Sequence, residues 1–158
     1  LFMVGIDIGR QGNVVKDIRK SGLRILAVPC LVMLGTFAAA AVTPFITDLT
    51  LKESSAVAAG LGWYSLAPVL ISEHSAELGA VSFLSNIMRE IIAIIIIPIV
   101  AKYIGYIEAC APAGAASMDT CLPLVERATN STVAIYSFVS GFVLTCIIPV
   151  MVPMIMNL

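Results

Sequence analysis

Residues 79–101 read GAVSFLSNIMREIIAIIIIPIVA, a stretch that is apolar except for a few polar side chains near its centre. A helix needs about 20 mostly apolar residues to cross the hydrocarbon core of a bilayer, so this stretch predicts a membrane-spanning helix. The rest of the chain has the same character, because 59% of its 158 residues are hydrophobic and only 12% are charged. A soluble domain of this size could not bury so much apolar surface. We therefore predict an all-α integral membrane protein.

Four more apolar segments alternate with polar turns, so we expect about five transmembrane helices in one transmembrane domain covering residues 1–158. The chain opens on Leu1 with an apolar stretch, LFMVGIDIG, that is too short to cross a bilayer. We interpret it as the remnant of a helix whose start is missing, and the chain as part of a larger membrane protein. The predicted spans are 22–44, 56–72, 79–101, 113–125 and 133–158.

Positive charge is concentrated near the start of the chain, where residues 10–24 hold five of the nine Lys and Arg. Short loops rich in Lys and Arg lie on the cytoplasmic side of a membrane, so this loop is predicted inside and the C-terminus outside. With a formal net charge of −1 and no larger basic patch, the chain is not expected to bind nucleic acid. The other polar segments are predicted outside at 45–55 and 102–112 and inside at 72–78 and 126–132.

Two of the predicted spans are interrupted by residues that break helices. A proline has no N–H group, so the carbonyls of Tyr64 and Asp119, four residues before a proline, are expected to lack helical partners. Free backbone groups at membrane depth are tolerated where they line a cavity, and short interrupted segments indicate the binding site of a transporter. The interrupting residues are Gly60, Gly62 and Pro68 in one segment, and Gly114 and Pro123 in the other.

The two interrupted segments also match each other when the chain is shifted so that Pro68 falls on Pro123, which predicts an internal repeat. With the spans given above, the two copies would point in the same direction. An inverted pair would need one crossing fewer in the unit, for instance a re-entrant hairpin at 56–78. The matched positions are Ser65 and Thr120, Pro68 and Pro123, Ser82 and Ser137, Phe83 and Phe138, Ser85 and Ser140, and Pro98 and Pro153.

Asp119 lies among small and apolar residues in GAASMDTCLP (114–123). A carboxylate at the bilayer centre costs about 2.5–3.5 kcal/mol on insertion scales, and a neutral side chain would fill the space at lower cost. The sequence therefore predicts a site for a cation or a proton. The structural alternative is that Asp119 caps the half-helix that follows the break.

A second polar group lies within the span 79–101. Ser82, Asn86, Arg89 and Glu90 are spaced at i, i+4, i+7 and i+8, which places them on one face of a helix. A polar face on an apolar span points into the protein or into a water-filled cavity. Alternatively, the span begins nearer Ile87 and the two charges reach the interface.

The remaining candidates lie beside the breaks. Trp63 and Tyr64 fit either a substrate path or an interfacial aromatic belt. No metal-ligand spacing and no nucleophile–base pair is present, so neither a cofactor nor an enzymatic activity is expected. An intramembrane aspartyl protease would need two deep aspartates, and only Asp119 is deep. The candidate substrate- or proton-binding residues are Asp119, Glu90, Arg89, Asn86, Ser117, Ser65, Tyr64 and Trp63.

Three motifs carry a resemblance to a known family. GWYSLAPVLISE (62–73), NIMREIIAI (86–94) and GAASMDTCLPLVER (114–127), in this order, resemble the LysO-type lysine exporter family of bacterial inner membranes. The resemblance covers nearly the whole chain. It implies export of L-lysine and of the analogue thialysine, driven by protons. It also implies reliance on intramembrane acidic residues, of which Asp119 is one by the match of SMDTCLP.

The resemblance also implies what else the transporter contains. Family members are about twice as long, so this chain would be the C-terminal part, with the N-terminal half on the same chain or on a separate one. Other expected partners are L-lysine, the lipid bilayer and, as an option, a second copy in a homodimer. Asp119 would bind the lysine ammonium or a proton, and Arg89 the α-carboxylate, with Glu90 as its ion-pair partner in the empty site. The alternatives are a sodium-coupled carrier of organic anions and a non-transporting membrane subunit.

Overall fold

The computed structural model describes residues 25–158, and the regular structure in this range is helical. The predicted all-α membrane protein is confirmed, because Ala27–Phe45, Ala76–Tyr103 and Ser131–Met156 are long and apolar enough to cross a membrane. The predicted helix remnant and the basic loop lie outside the described residues. The α-helices are α1 (Ala27–Val42), α2 (Leu51–Ala58), α3 (Ala67–Ser72), α4 (Ala76–Tyr103), α5 (Leu122–Ala128) and α6 (Ser131–Met156), with 3-10 turns at Thr43–Phe45, Glu108–Cys110 and Gly114–Met118.

Helix α4 is the longest element. It has 28 residues, about 42 Å at 1.5 Å per residue. The hydroxyl of Ser75 accepts a hydrogen bond from the amide of Leu78 and so caps its first turn. Arg89 and Glu90 fall near the middle of this helix, which begins at Ala76.

The first interrupted segment does not cross the molecule but folds as a hairpin, built from α2 and α3. At its open end, Asp48 and Glu53 line one cavity together with Ser75 and Glu77, next to the start of α4. At its tip, the amide of Gly62 donates to Asn86 Oδ1, about halfway along α4. Helix α3 then returns, and its residues 68–72 lie against the first turn of α4. The predicted crossing at 56–72 is therefore wrong, and the segment is re-entrant.

The second interrupted segment forms a hairpin from the opposite end. Cys110 Sγ donates to the carbonyl of Val133 near the start of α6, and the carbonyl of Pro112 is reached by Arg89 in the middle of α4. The tip lies against the middle of α6, where Thr145 Oγ1 donates to Met118 Sδ. Helix α5 then returns to the start of α6. The predicted crossing at 113–125 is replaced by this second re-entrant hairpin.

The two units form the predicted repeat, but in an inverted arrangement. Helices α3 and α5 begin at positions 67 and 122, and α4 and α6 at 76 and 131, so both pairs keep the offset that aligns Pro68 with Pro123. The caps also match, because Ser75 and Asn130 each accept from the amide three residues later. Helix α3 contacts α6 while α5 contacts α4, a reciprocal exchange consistent with two-fold-related units. The prediction that both copies point in the same direction is wrong, because each contains a hairpin and a single long helix.

This arrangement determines which turns lie at the same end of the molecule as the C-terminus. Helix α6 finishes beside the start of α2, where Ile155 and Leu158 share a cavity with Leu51 and Lys52. The turn before α4 lies at this same end, so the predicted separation of 72–78 from the C-terminus is wrong. The segment 102–112 lies at the other end, with the turn between α5 and α6. It was predicted on the same side as the C-terminus, and this prediction is also wrong.

The predicted polar segment 45–55 contains the start of α2. Thr50 and Glu53 form a capping box, in which each side chain accepts the other residue's backbone amide, and this box opens the helix at Leu51. At the other predicted turn, α5 extends to Ala128 and so includes the first three residues of the segment 126–132.

Many small side chains fill the contacts between helices, and many large apolar side chains point outward. This distribution is typical of a protein whose outer surface faces lipid, since small residues let backbones approach closely. Fully buried alanines include Ala56, Ala59, Ala67, Ala93, Ala109, Ala113 and Ala134, whereas Leu84, Ile91, Ile95, Ile99 and Val150 are exposed.

Candidate functional site

The tips of the two hairpins cross and contact each other. The amide of Ala115 donates to the carbonyl of Leu61 over 2.8 Å. Gly62 and Gly114 have positive φ angles of 100° and 60°, which glycine adopts without steric cost. A Cβ at Gly114 would collide with the Leu61 carbonyl, and one at Gly62 would lie 2.8 Å from the carbonyl of Ala113. The crossing therefore needs glycine in both strands of chain.

Two side chains of α4 contact this crossing from behind. Asn86 accepts from Gly62 through Oδ1 at 2.7 Å and donates through Nδ2 to the carbonyl of Ser82 at 2.8 Å. Arg89 donates from Nε to the carbonyl of Pro112 and from Nη1 to Thr36 Oγ1, both at 3.2 Å. Asn86 and Arg89, two residues of the predicted polar face of α4, thus hold the two hairpins.

A cavity of about 170 Å³ opens on the other face of the crossing. It has room for several water molecules. Four of the predicted site residues line it together, although they come from two different hairpins. These are Trp63, Tyr64, Ser65 and Asp119, and they are joined by Gly62, Ala115, Ala116, Met118, Thr120 and Thr145.

Asp119 is half-buried at the edge of this cavity. Its Oδ1 accepts from the amide of Thr120 at 2.7 Å and from the Thr120 hydroxyl at 3.4 Å. Among residues 25–158, no donor is bonded to its Oδ2, so one carboxylate oxygen is free to bind a ligand. The capping alternative is wrong, because Cys121 is the N-cap residue of α5 and no side chain caps that helix.

Pro68 and Pro123 do not interrupt helices, as the sequence predicted, but begin them. Pro68 and Pro123 lie in the first turns of α3 and α5, where a missing N–H breaks no helical bond. The carbonyl of Asp119 accepts from the amide of Leu122 at 3.3 Å, so the prediction that it is free is wrong. The chain breaks at the loops before these helices, and the prolines start the returning arms.

Comparison with known proteins places the chain in a family. The family model described as "Lysine exporter LysO" matches residues 1–156. The chain belongs to the LysO lysine exporter family. The "Lysine exporter LysO" of Escherichia coli K12 is 31% identical over 153 residues, which are 96% of this chain and 50% of that protein. A "Putative lysine exporter" of Haemophilus influenzae is 24% identical over 154 residues, which are 96% of this chain and 77% of that protein.

The chain therefore spans half the length of the Escherichia coli relative. No solved structure matches the chain.

In this LysO-family chain the repeat brings equivalent positions to one cavity. Trp63 and Met118 are equivalent in the two units, as are Tyr64 and Asp119, and Ser65 and Thr120. The cavity thus lies where the two units meet. Trp63 Nε1 donates to Ser65 Oγ at 2.8 Å, and the Tyr64 ring packs edge-on against Phe83 at 6.5 Å. Both aromatic side chains are therefore fixed at the cavity wall.

Four predicted site residues lie elsewhere. Ser117 is fully buried, and its hydroxyl donates to the carbonyl of Ser137 while the Ser137 hydroxyl donates to the carbonyl of Ser117. Asn86 and Arg89 lie behind the crossing, and Glu90 is half-buried near the middle of α4. Within the described part of the chain Arg89 does not form the expected ion pair with Glu90, because its hydrogen bonds go to a carbonyl and a threonine.

Sequence reasoning missed four polar or polarisable residues, one of which is Thr120, which lines the cavity and hydrogen-bonds Asp119. Thr36 binds Arg89, and Thr145 and Met118 line the Asp119 cavity. A signal for Thr36 and Thr145 was present, since each is a polar residue inside a long apolar span. Nothing in the sequence distinguishes Met118 from the other methionines.

Proposed function

We propose that this chain is the C-terminal part of an exporter that moves L-lysine, and analogues such as thialysine, across the bacterial inner membrane in exchange for protons. Asp119 is the group that binds either the lysine ammonium or a proton. The observation that carries this proposal is the free carboxylate oxygen of Asp119 in a cavity between two broken hairpins. Membership in the LysO family and the names of the relatives support lysine as the cargo.

The chemistry of the cavity suits an alkylammonium group. A carboxylate at membrane depth is stable when it is protonated or paired with a cation, so proton and ammonium compete for Asp119. The hydroxyls of Ser65 and Thr120 offer further acceptors, and the faces of Trp63 and Tyr64 attract a cation within about 6 Å of the ring. Competition for one carboxylate gives an exchange in which lysine leaves on one side and a proton enters from the other.

The proposal also states how the chain is oriented in the membrane and which part of the transporter lies outside it. The end that holds the C-terminus and the turn before α4 faces the outside, and the turn between α5 and α6 faces the cytoplasm. The rest of the transporter, on the same chain or on a separate one, completes the path.

The test is lysine efflux from loaded proteoliposomes under an imposed proton gradient, with the remaining segment of the transporter supplied. Wild type is compared with Asp119→Asn and with Glu73→Gln, a matched change in an exposed turn. Asn keeps an acceptor for the Thr120 amide, so Asp119→Asn should fold with an unchanged melting temperature. We expect gradient-driven efflux in wild type and in Glu73→Gln, and its loss in Asp119→Asn.

Other results would contradict the proposal in distinct ways. Equal efflux from Asp119→Asn would remove the carboxylate from the mechanism. Folded wild type that moves no lysine would remove the substrate. Sodium-dependent uptake of organic anions by that same protein would establish the alternative carrier.

A further inference from the structure

Two side chains one helical turn apart on α4 each hold the tip of a different hairpin. Asn86, which is 3% exposed, binds the amide of Gly62 in the first hairpin. Arg89 binds the carbonyl of Pro112 in the second hairpin and also reaches Thr36 on α1. Between them they tie three separate parts of the chain to one turn of α4.

We infer that Asn86 and Arg89 are positioning residues that set the geometry of the hairpin crossing, and with it the Asp119 cavity, and that Arg89 is not a ligand for the carboxylate of the substrate. Neither side chain lines the Asp119 cavity. The crossing itself separates them from it, since a Cβ on Gly62 would lie 3.8 Å from Arg89 Cδ and one on Gly114 3.2 Å from Arg89 Cζ. The Arg89 side chain therefore packs against the two glycines on the side away from Asp119, where it lines separate cavities.

Arginine suits this task for a geometric reason. Its planar fork directs donors at fixed angles, so Nε and Nη1 can bind partners on two different elements at once. A lysine ammonium is a single point charge and cannot reproduce both directions. A charged donor on a carbonyl also makes a stronger bond than a neutral one, which suits a loop with few helical bonds of its own.

The second unit has no equivalent of this clamp. The repeat places Gly141 and Leu144 at the positions equivalent to Asn86 and Arg89. A Cβ on Gly141 would lie 2.6 Å from the amide nitrogen of Met118, so α6 approaches its hairpin by close packing instead. Among the described helices, α4 holds both hairpin tips through polar side chains, whereas the hydrogen bonds of Ser137 and Thr145 on α6 reach the second hairpin alone. A displacement of α4 would move both tips together and change the Asp119 cavity.

The first test compares lysine with 1,5-diaminopentane, which has both amino groups but no carboxylate, as a competitor of lysine efflux in the reconstituted transporter. A positioning role predicts that Arg89→Gln lowers maximal efflux about ten- to a hundredfold, the loss expected for one charged hydrogen bond. The ratio of the lysine KM to the inhibition constant of the diamine should stay within about twofold of wild type. A selective rise in the lysine KM, with diamine binding unchanged, would make Arg89 a carboxylate ligand and overturn the inference.

The second test needs no transport. Cys110 and Cys121 are fully buried and flank the part of the hairpin that Arg89 holds, whereas Cys146 is exposed. In substrate-free protein, Arg89→Gln should speed maleimide labelling of the two buried thiols about tenfold or more, with Cys146 unchanged, as peptide mapping would report. Unchanged labelling of both buried thiols would overturn the inference.

Milder variants keep the test decisive if Arg89→Gln does not fold. Arg89→Lys keeps the charge and Thr36→Val removes a single hydrogen bond, and both should speed labelling by a smaller factor in the same direction. The efflux comparison rests on the proposed function and fails with it if folded wild type carries no lysine. The labelling comparison does not, so the two failures are distinguishable.

Discussion

The amide of Ala115 donates a hydrogen bond to the carbonyl of Leu61 over 2.8 Å, so the two re-entrant hairpins are joined directly at their tips. Two stretches of unwound backbone can approach this closely only where no side chain intervenes. The glycines beside this bond are consequently part of the site, although they carry no chemistry of their own. Asp119 follows this contact by four residues, so its position depends on the crossing.

Gly114→Ala should destabilise the protein strongly. The new methyl group would collide with the Leu61 carbonyl, and a residue other than glycine would be forced to keep a φ of 60°. We expect a loss of about 2–5 kcal/mol, the sum of left-handed strain and overpacking. Thermal unfolding in detergent, followed by size-exclusion chromatography, would measure it.

The matched control for that change is Gly35→Ala on α1, because no atom lies within 4 Å of a Cβ built there. This variant should melt at or slightly above the wild-type temperature. If both variants melted alike, the crossing would not be the tight contact described above.

Ser137→Ala should cost about 0.6–2 kcal/mol, the range for hydrogen bonds inside membrane proteins and folded proteins in general. The Ser137 hydroxyl donates to the carbonyl of Ser117 at 2.7 Å and so fixes the 3-10 turn before Asp119. Ser140 is a natural control, since it is equally buried and its hydroxyl has no partner among the described residues. Ser140→Ala should be neutral or stabilising, and an equal loss in both variants would contradict the role of the Ser117–Ser137 pair.

The capping box of α2 gives the protein a pH-dependent contribution to stability. Hydrogen bonds from the Thr50 amide and hydroxyl lower the pKa of Glu53 below its ordinary value of 4.5. A lowered pKa means that the ionised form stabilises the fold above pH 4.5 and that this contribution is lost as the pH falls through the folded-state pKa. Wild type should therefore melt above Glu53→Gln at pH 7, and the gap should close in acid. A gap that stays constant down to low pH would exclude this linkage.

The sequence predicted the positions of the breaks because the physical signals are local. Glycine weakens a helix and proline favours its first turn, so both lie beside a break, and Asp119 is conspicuous in an apolar segment. The repeat was detectable through serines and prolines that pair at one constant offset, as Pro68 does with Pro123. The inward-facing polar stripe of α4 followed from helical periodicity, which is also a local property.

The sequence could not predict whether a broken segment crosses or turns back. Hydropathy measures how apolar a segment is, and both paths through a membrane need apolar residues. The distinguishing quantity is the length of each arm. Helices α2 and α3 have eight and six residues, only about 12 and 9 Å. The predicted span 56–72 left out the first five residues of α2, so it was read as one segment and not as two short arms. The partners of Arg89 were equally hidden, because Thr36 and Pro112 are distant in sequence.

The inverted arrangement makes a topology prediction that differs from the one based on five crossings. Helix α6 ends beside the start of α2, so the C-terminus and the turn before α4 lie at one end, and the turn between α5 and α6 lies at the other. Reporter variants Glu73→Cys, Arg127→Cys and Leu158→Cys would be made in a chain whose exposed Cys30 and Cys146 are replaced by serine. A membrane-impermeant maleimide should label the reporters at 73 and 158 from the same side of the membrane and the one at 127 from the opposite side. Five crossings would instead place the reporters at 73 and 127 on the same side, because two predicted spans, 79–101 and 113–125, would lie between them. The two topologies therefore give different labelling patterns, and each pattern excludes the other topology.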